Sequence, residues 1–254
     1  MKLSTRQQTI LDWARQDEHL EVDTLAERFE VSPQTIRKDI NQLCESGLLR
    51  RRYGGVSLPS SVSNLSFSSR QVLNQLAKQA IASRLAAQIP DQSSVYLGIG
   101  TTIEFVAREL SEHEGLKVFT NNLNVASLLC NSAGVDVQVA GGRLRHNDHD
   151  VVGERTTRFF GEFCADFGII GTGSLDPAYG LMDFEIEEAR VSQAILGNAR
   201  RRILVADQSK WDRQALARVA PFDAIDLLIT DTMPPSPRAA LPPSVVVLET
   251  EPEA

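Results

Sequence analysis

The sequence predicts an α/β protein in two parts. A winged helix-turn-helix occupies residues 1–57, a mostly parallel α/β domain occupies residues 70–254, and a linker at 58–69 joins them. Three observations support this division. Three short amphipathic helices are followed at once by a basic hairpin. A serine-rich stretch from Ser57 to Ser69, containing Pro59, then interrupts the patterning. Beyond it, apolar strand-like runs recur with helical stretches between several of them, the pattern of a parallel sheet covered on both faces.

In the first part, Ile10, Trp13 and Ala14 mark a helix beginning near Ser4 or Thr5, and Val22, Leu25, Ala26 and Phe29 mark a second one. After the break at Glu30-Val31-Ser32, the segment Val31-Ser32-Pro33-Gln34-Thr35-Ile36-Arg37-Lys38-Asp39-Ile40 opens a third. Ser32 suits the N-cap, and Pro33 suits the first helical position, where a missing N–H costs nothing. Ile36, Ile40 and Leu43 fall at i, i+4 and i+7, a stripe that must face a core. At about 100° per residue, Gln34, Arg37, Lys38 and Asn41 take the opposite face, with Ser32 and Thr35 at the helix start. Such side chains bond base edges and phosphates, and the first turns of a recognition helix are where it meets DNA. On an isolated helix a polar face is more often merely solvated, so the neighbours decide. Gly47 suits a C-cap, and Leu48 to Val56 reads as two short strands around a turn. That hairpin sets Arg50, Arg51 and Arg52 beside the recognition helix, within reach of phosphates or the minor groove.

Charge refines this reading. The chain of 254 residues is 42% apolar and 23% charged, as in soluble globular proteins, with a formal net charge of −7. Residues 1–57 hold nine basic and nine acidic residues, so the whole negative excess lies beyond them. Five of those nine basic residues sit at 37–38 and 50–52. A local positive patch on a neutral module suits a site-specific regulator and excludes a nonspecific packaging protein. No apolar signal core opens the chain and no run approaches a membrane span, which implies a cytoplasmic protein. Cys44, Cys130 and Cys164 are too scattered for a disulfide framework or a zinc knuckle. His146-Asn147-Asp148-His149-Asp150 lacks a third ligand position and reads as a polar surface loop, so neither metal nor cofactor is expected.

In the second part, Leu73, Leu76, Ala80, Ile81, Leu85 and Ile89 form a long amphipathic helix ended by Pro90. Strand-like runs follow at Val95–Ile99, Leu116–Thr120, Val135–Ala140, Phe167–Gly171, Arg202–Ala206 and Leu227–Thr230. Helical stretches lie at Ile103–Leu110, Asn124–Asn131 and Ile186–Ala199. In such sheets ligands bind beyond the carboxyl ends of the strands. The first run ends in Gly98-Ile99-Gly100-Thr101-Thr102 and opens into a helix. It offers close backbone approach, two hydroxyls and a positive helix terminus, which is what a phosphate needs. Others end in Thr120-Asn121-Asn122, Gly141-Gly142, Gly171-Thr172-Gly173 and Asp207-Gln208-Ser209-Lys210. Five polar strand ends on one edge point to a pocket for a small polyol or sugar phosphate. Lys210 would neutralise phosphate charge, and Asp207 or Glu185 would accept hydroxyl protons. An isomerase or deaminase could use the same pocket, with Glu185, Glu187 or Glu188 moving protons. Acidic residues on an exposed helix explain those three more simply, and a fused DNA-binding module has no role in such an enzyme. No catalytic residue is expected.

These motifs, in this order, resemble the deoxyribose-operon repressor family of bacterial regulators along nearly the whole chain. The resemblance rests on the Val31 to Ile40 segment, Gly54-Gly55, Ile99-Gly100-Thr101-Thr102, Thr120-Asn121-Asn122, Gly141-Gly142 and Asp207-Gln208-Ser209-Lys210. Leu58-Pro59-Ser60-Ser61, Thr120 to Ala126 and Arg190 to Ile195 are most similar to members that respond to glycerol-3-phosphate. The resemblance implies a repressor that binds operator DNA. It implies a sensing domain related to ribose-5-phosphate isomerase and glucosamine-6-phosphate deaminase, with effector contacts at Thr101, Thr102, Asn121, Asn122 and Lys210. It also implies sn-glycerol-3-phosphate as the effector, and a homodimer or homotetramer. Two positions depart from the family pattern: Gly98, where many members carry an acidic or amide residue, and Trp211-Asp212, where they carry Phe-Gly.

Overall fold

The computed structural model describes residues 3–17, 19–45, 48–57, 64–233 and 235–250. The chain divides into two compact units, Met1–Leu73 and Asn74–Ala254. The first contains α1 (Thr5–Gln16), β1 (Leu20–Glu21), α2 (Val22–Arg28), α3 (Pro33–Glu45), β2 (Arg50–Arg52), β3 (Gly55–Ser57) and α4 (Phe67–Val72). Of the expected linker, residues 58–63 lie outside the described residues, and so does Gly47, the expected C-cap.

The first unit closes around the stripe on α3. Ile36, Ile40 and Leu43 are buried with Ile10, Leu11 and Ala14 of α1, Leu25 and Ala26 of α2, and Val56 of the wing. Each such side chain stabilises the unit by about 1.5–3 kcal/mol relative to exposure, so the stripe dictates which face of α3 points outward. A reciprocal capping box starts α1: Ser4 Oγ accepts from the Gln7 N–H, and Gln7 Oε1 accepts from the Ser4 N–H. Between α2 and α3 the chain turns through Glu30 in the left-handed region, φ 53°. The wing is a three-stranded antiparallel sheet in the order β1-β3-β2. Two glycines make it feasible. Gly54 turns with φ 76°, and a Cβ on Gly55 would lie 2.0 Å from the Leu20 carbonyl oxygen.

The second unit runs α5 (Gln75–Ala86), β4 (Ser94–Leu97), α6 (Thr101–Leu110), β5 (Leu116–Thr120), α7 (Leu123–Leu129), β6 (Val135–Val139), β7 (Arg143–Arg145), β8 (Asp150–Val152) and α8 (Glu154–Gly161). It continues with β9 (Ala165–Ile170), β10 (Ser174–Asp176), β11 (Gly180–Asp183), α9 (Ile186–Gly197), β12 (Ala199–Val205), β13 (Ala217–Ala220), β14 (Leu227–Thr230), α10 (Pro235–Ala240) and β15 (Val246–Glu249). Among the described residues, seven strands pair in parallel in the order β15-β14-β12-β9-β4-β5-β6. The order reverses between β4 and β9: β5 and β6 step outward on one side, and β9, β12, β14 and β15 on the other.

Alternation along the strands separates two cores. Val95 and Leu97 face α5, α6 and α7, packing with Ile81, Leu85, Ile103, Val106 and Leu129. Tyr96, between them, faces α8 and α9. Its ring meets Phe119 and Phe160 edge-on, its hydroxyl donates to the Phe160 carbonyl at 2.9 Å, and burial pushes its pKa to about 12. The helix expected from Leu73 to Pro90 is shorter. Leu73 packs in the first unit, α5 spans Gln75 to Ala86, and Leu76 is exposed to solvent. The β7–β8 hairpin and the antiparallel sheet β10-β11-β13 were not expected.

Gly55→Ala should destabilise the first unit by about 1–3 kcal/mol, since the wing must shift to admit the methyl group. Thermal unfolding checks this, with Gly54→Ala as the comparison for turn strain alone. Unaltered stability in Gly55→Ala would mean that β1 and β3 do not approach this closely.

Candidate DNA-reading surface and sensing pocket

On α3 the outward face carries Gln34, Arg37 and Lys38, all exposed. Ser32 and Thr35 serve the helix start: Ser32 Oγ accepts from the Thr35 N–H at 3.2 Å, and the two hydroxyls lie 2.9 Å apart. Asn41 is half-buried, and its side-chain oxygen accepts from Arg51, tying the recognition helix to the wing. Arg50, Arg51 and Arg52 are exposed along β2. Among the described residues, Arg37, Lys38, Arg50 and Arg52 make no ion pair, so this face holds cations without internal compensation. Tyr53, at the wing tip, is wholly exposed. The sequence reading passed over it, although its place between three arginines and Gly54-Gly55 was a usable signal. On the inward side, the buried carboxylate of Asp39 accepts from Arg6 Nε at 2.6 Å and Gln7 Nε2 at 3.4 Å.

The five polar strand ends do gather at the carboxyl edge of the sheet, and their roles differ. Gly100 (φ 116°) is the N-cap of α6 and has no side chain to cap it, while Thr101 and Thr102 are buried in the first turn. The start of α6 therefore presents backbone N–H groups beside the point where the strand order reverses. Thr120 is committed to the scaffold. Its hydroxyl donates to the Leu97 carbonyl at 2.7 Å and accepts from the Asn122 N–H at 3.0 Å. Asn122 Oδ1 caps α7, and Asn121 Nδ2 donates to the Val151 carbonyl. That leaves Asn121 Oδ1 and Asn122 Nδ2 buried without a partner among the described residues, as is Ser174 Oγ. A buried unpaired polar group costs about 1–3 kcal/mol, the penalty that a bound polar molecule relieves. Gly141 accepts from the Thr156 hydroxyl through its carbonyl, and a Cβ on Gly142 would press within 2.5 Å of that same hydroxyl.

Asp207 is also more structural than expected. Its Oδ1 accepts from the Ser209 N–H at 3.1 Å and from Asn74 Nδ2 at 2.9 Å, capping a 3₁₀ turn, Gln208–Asp212. Burial raises its pKa, but Lys210, the Ser209 hydrogen bond, Arg213 and Lys78 outweigh that and hold the carboxyl below the usual range. Lys210 is half-buried, and Lys78 on α5 is buried. Lys78 escaped the sequence reading because it interrupts an apolar helix face with nothing local to mark it. Trp211 packs on Phe222, ring centroids 5.6 Å apart.

A charged cluster joining β7, β8 and α9 is one that the sequence reading missed. Arg145 is buried on β7. It grips Asp150 with Nε at 3.0 Å and Nη2 at 2.9 Å, meets Glu188 at 2.6 Å, and reaches Asp148 and Glu185 at 3.4 Å. The stretch from His146 to Asp150 is thus not simply a surface loop: His146, Asn147 and His149 are exposed, but Asp148 and Asp150 are buried. Glu188, expected on an exposed face, is buried too, because Arg145 provides its counter-charge. Arg143 pairs with Glu187 alongside. Burial pushes the carboxyls of Asp150 and Glu188 upward against the pull of Arg145. Asp183, which accepts the Gly173 N–H at 2.7 Å, is raised well above its ordinary value by burial and then by Glu188. The carboxyl edge of the sheet thus carries cations, helix N–H groups and carboxyl oxygens, groups able to meet an anionic polyol. Among the described residues no cluster of His, Cys, Asp and Glu could hold a metal ion, and no helix is long and apolar enough to cross a membrane.

A helix-turn-helix bearing uncompensated cations, followed by a parallel sheet with a polar pocket edge, defines a ligand-responsive DNA-binding regulator. The chain belongs to the DeoR family: the DeoR-like helix-turn-helix domain matches residues 6–62 and the DeoR C terminal sensor domain matches residues 73–232. It is 39% identical over 235 residues to the glycerol-3-phosphate regulon repressor of Escherichia coli strain K12, covering 92% of this chain and 93% of that one. With the glycerol-3-phosphate regulon repressor of Haemophilus influenzae it shares 41% over 234 residues, covering 92% and 91%. Among solved structures it is similar to ribose 5-phosphate isomerase A from Methanocaldococcus jannaschii, with a TM-score of 0.41 and 15% identity over 54% of this chain and 55% of that one.

Asp183→Asn should raise the melting temperature at neutral pH by a few degrees, since it keeps an acceptor for the Gly173 N–H and removes a buried charge beside Glu188. A carboxyl whose native pKa lies above its unfolded value withdraws stability as pH rises between the two. The gain over wild type should therefore shrink toward about pH 4, where the unfolded carboxyl is itself half protonated. A gain that stays constant or grows on acidification would contradict the assignment.

Proposed function

We propose that this DeoR-family repressor controls genes of glycerol-3-phosphate metabolism and leaves its operator when sn-glycerol-3-phosphate binds. The reading rests on two features of the carboxyl edge: the start of α6, whose N-cap Gly100 has no side chain to cap it, and Lys210, whose charge acts on the buried carboxyls of Asp183 and Asp207. In this reading Gly100, Thr101, Thr102 and Lys210 hold the phosphate dianion, and Asn121 and Asn122 meet the two hydroxyls. Thr120, Gly141, Gly142 and Asp207 shape and brace that pocket. Ser32, Gln34, Thr35, Arg37, Lys38 and Asn41, with Arg50, Arg51 and Arg52, engage the operator. The relatives' names support glycerol-3-phosphate over other sugar phosphates.

Residues 1–57 then read DNA, residues 58–69 link, and residues 70–254 sense the effector and oligomerise. A homodimer or homotetramer in the cytoplasm presents paired recognition helices to a two-fold operator. The pocket performs no chemistry: the carboxyls of Asp150 and Glu188 are tied to Arg145 rather than free to move a substrate proton. A second reading, a repressor of another sugar catabolic operon, draws on Gly98 and Trp211, which depart from the family pattern at the pocket.

Titrating sn-glycerol-3-phosphate into the preformed operator complex at fixed salt should weaken DNA binding by a coupling of about 1–3 kcal/mol. In Thr102→Val the response should need more ligand, by the about 1.5–3 kcal/mol of a hydrogen bond to a charged group, while ligand-free operator affinity stays near wild type. Release by a different sugar phosphate, with glycerol-3-phosphate inert, would favour the second reading. Turnover of a sugar phosphate would sink the sensor assignment.

A further inference from the structure

Where α1 crosses α3, an open groove of about 820 Å³ is lined by Arg6, Gln34, Thr35, Lys38 and Asp39, with Leu3 and neighbouring polar side chains. Its formal charges are two cations and one carboxylate, and that carboxylate is already engaged. Asp39 Oδ2 takes the Arg6 Nε–H at 2.6 Å, and Asp39 Oδ1 takes Gln7 Nε2, which also donates to Gln42 Oε1 at 2.7 Å. Asp39 is buried, whereas the Arg6 side chain remains one-third exposed. The two terminal nitrogens of that guanidinium make no hydrogen bond among the described residues. They carry four of the five N–H donors of an arginine, and with Nε fixed their plane is fixed as well. On the same groove wall, Lys38 is exposed and makes no ion pair among the described residues, and Gln34 belongs to the outward face of α3.

We propose that Arg6 is a ligand for a DNA backbone phosphate, aimed by Asp39, and that the groove between α1 and α3 seats the strand flanking the recognition helix. This rests on the DNA-reading surface proposed above. A guanidinium held by a buried carboxylate has given up its rotamer freedom before DNA arrives, so less entropy is lost on contact. Its remaining fork matches a phosphate with two parallel N–H···O bonds, and Lys38 adds a second positive charge beside it. Asp39 is then a positioning residue. Its place on the inward side of α3 also sets the groove in register with Gln34 and Lys38, so the backbone contact fixes how deeply the helix enters the major groove.

The competing role for the Arg6–Asp39 pair is a structural staple between two helices, and two variants of the full-length protein separate the roles. Arg6→Met removes both the staple and the phosphate ligand. Arg6→Met/Asp39→Leu replaces the ion pair by an apolar contact, a change that commonly preserves or restores stability. Binding to a fluorescent mixed-sequence duplex of about three helical turns is measured across about 50 to 200 mM salt. For the double variant we expect a wild-type melting temperature, a log–log salt slope shallower by about 0.9, and correspondingly an about threefold smaller loss of affinity across that range. A double variant that melts like wild type and keeps the wild-type slope would overturn the proposal and leave the staple. If the double variant melts low, Arg6→Lys decides: it keeps a cation that can pair with Asp39 but loses the fork. Weaker binding at wild-type stability then supports the phosphate contact, and wild-type affinity overturns it. Failure of the wild-type protein to bind the duplex with any salt dependence would instead remove the DNA-reading surface itself, with Arg37→Ala as the internal control for base reading.

Discussion

The reversal of strand order between β4 and β9 is the constraint on which the sensing half depends. Because the seven strands are parallel, every carboxyl end lies on one edge, so motifs distant in sequence, such as those at residues 98–102 and 171–173, become neighbours. Because the order reverses beside β4, the connections leaving β4 and β9 run to opposite sides, and α6 starts at the switch point where such sheets bind ligands. The buried ring of Tyr96 and the Thr120 bridge to Leu97 hold β4 and β5 at that point. At Gly98 a Cβ would make ordinary van der Waals contact, 3.4 Å from the Ile169 carbonyl oxygen.

The DNA-reading half depends on a different balance. A small unit has few apolar residues to bury, and α3 contributes three of them, Ile36, Ile40 and Leu43. Their burial rotates the helix so that Arg37 and Lys38 face outward, where they make no ion pair among the described residues. In the proposed reading DNA supplies the counter-charge to these residues, so the arrangement is most favourable on a duplex. The Asn41–Arg51 and Arg6–Asp39 contacts link the wing and α1 to the same helix.

What could be read from the sequence was whatever depends on local rules. Ser32 and Pro33 announced the start of α3, the i, i+4, i+7 stripe announced its buried face, and continuous apolar runs announced the central strands. What could not be read depends on partners distant in sequence. β1 has two residues and β7, β8 and β10 have three each, too short to display a period. The Arg145 cluster joins β7 and β8 to α9, so Glu188 looked like one more acid on a helix until its counter-charge was located 43 positions upstream. Thr120 and Asp207 were expected at the ligand and prove to spend hydrogen bonds on the scaffold, because a polar side chain at a strand end can serve either purpose. Leu76 shows the opposite failure: it matched the helical stripe and still faces solvent.

If sensing and DNA reading are two readouts of one equilibrium, the coupling between them must be reciprocal. The most direct measurement is calorimetric: the affinity for sn-glycerol-3-phosphate of the free protein against that of the protein saturated with operator DNA. The account predicts weaker ligand binding in the complex, by the same factor, about 5–150-fold, with which the ligand weakens operator binding. Equal affinity in the two states would contradict it.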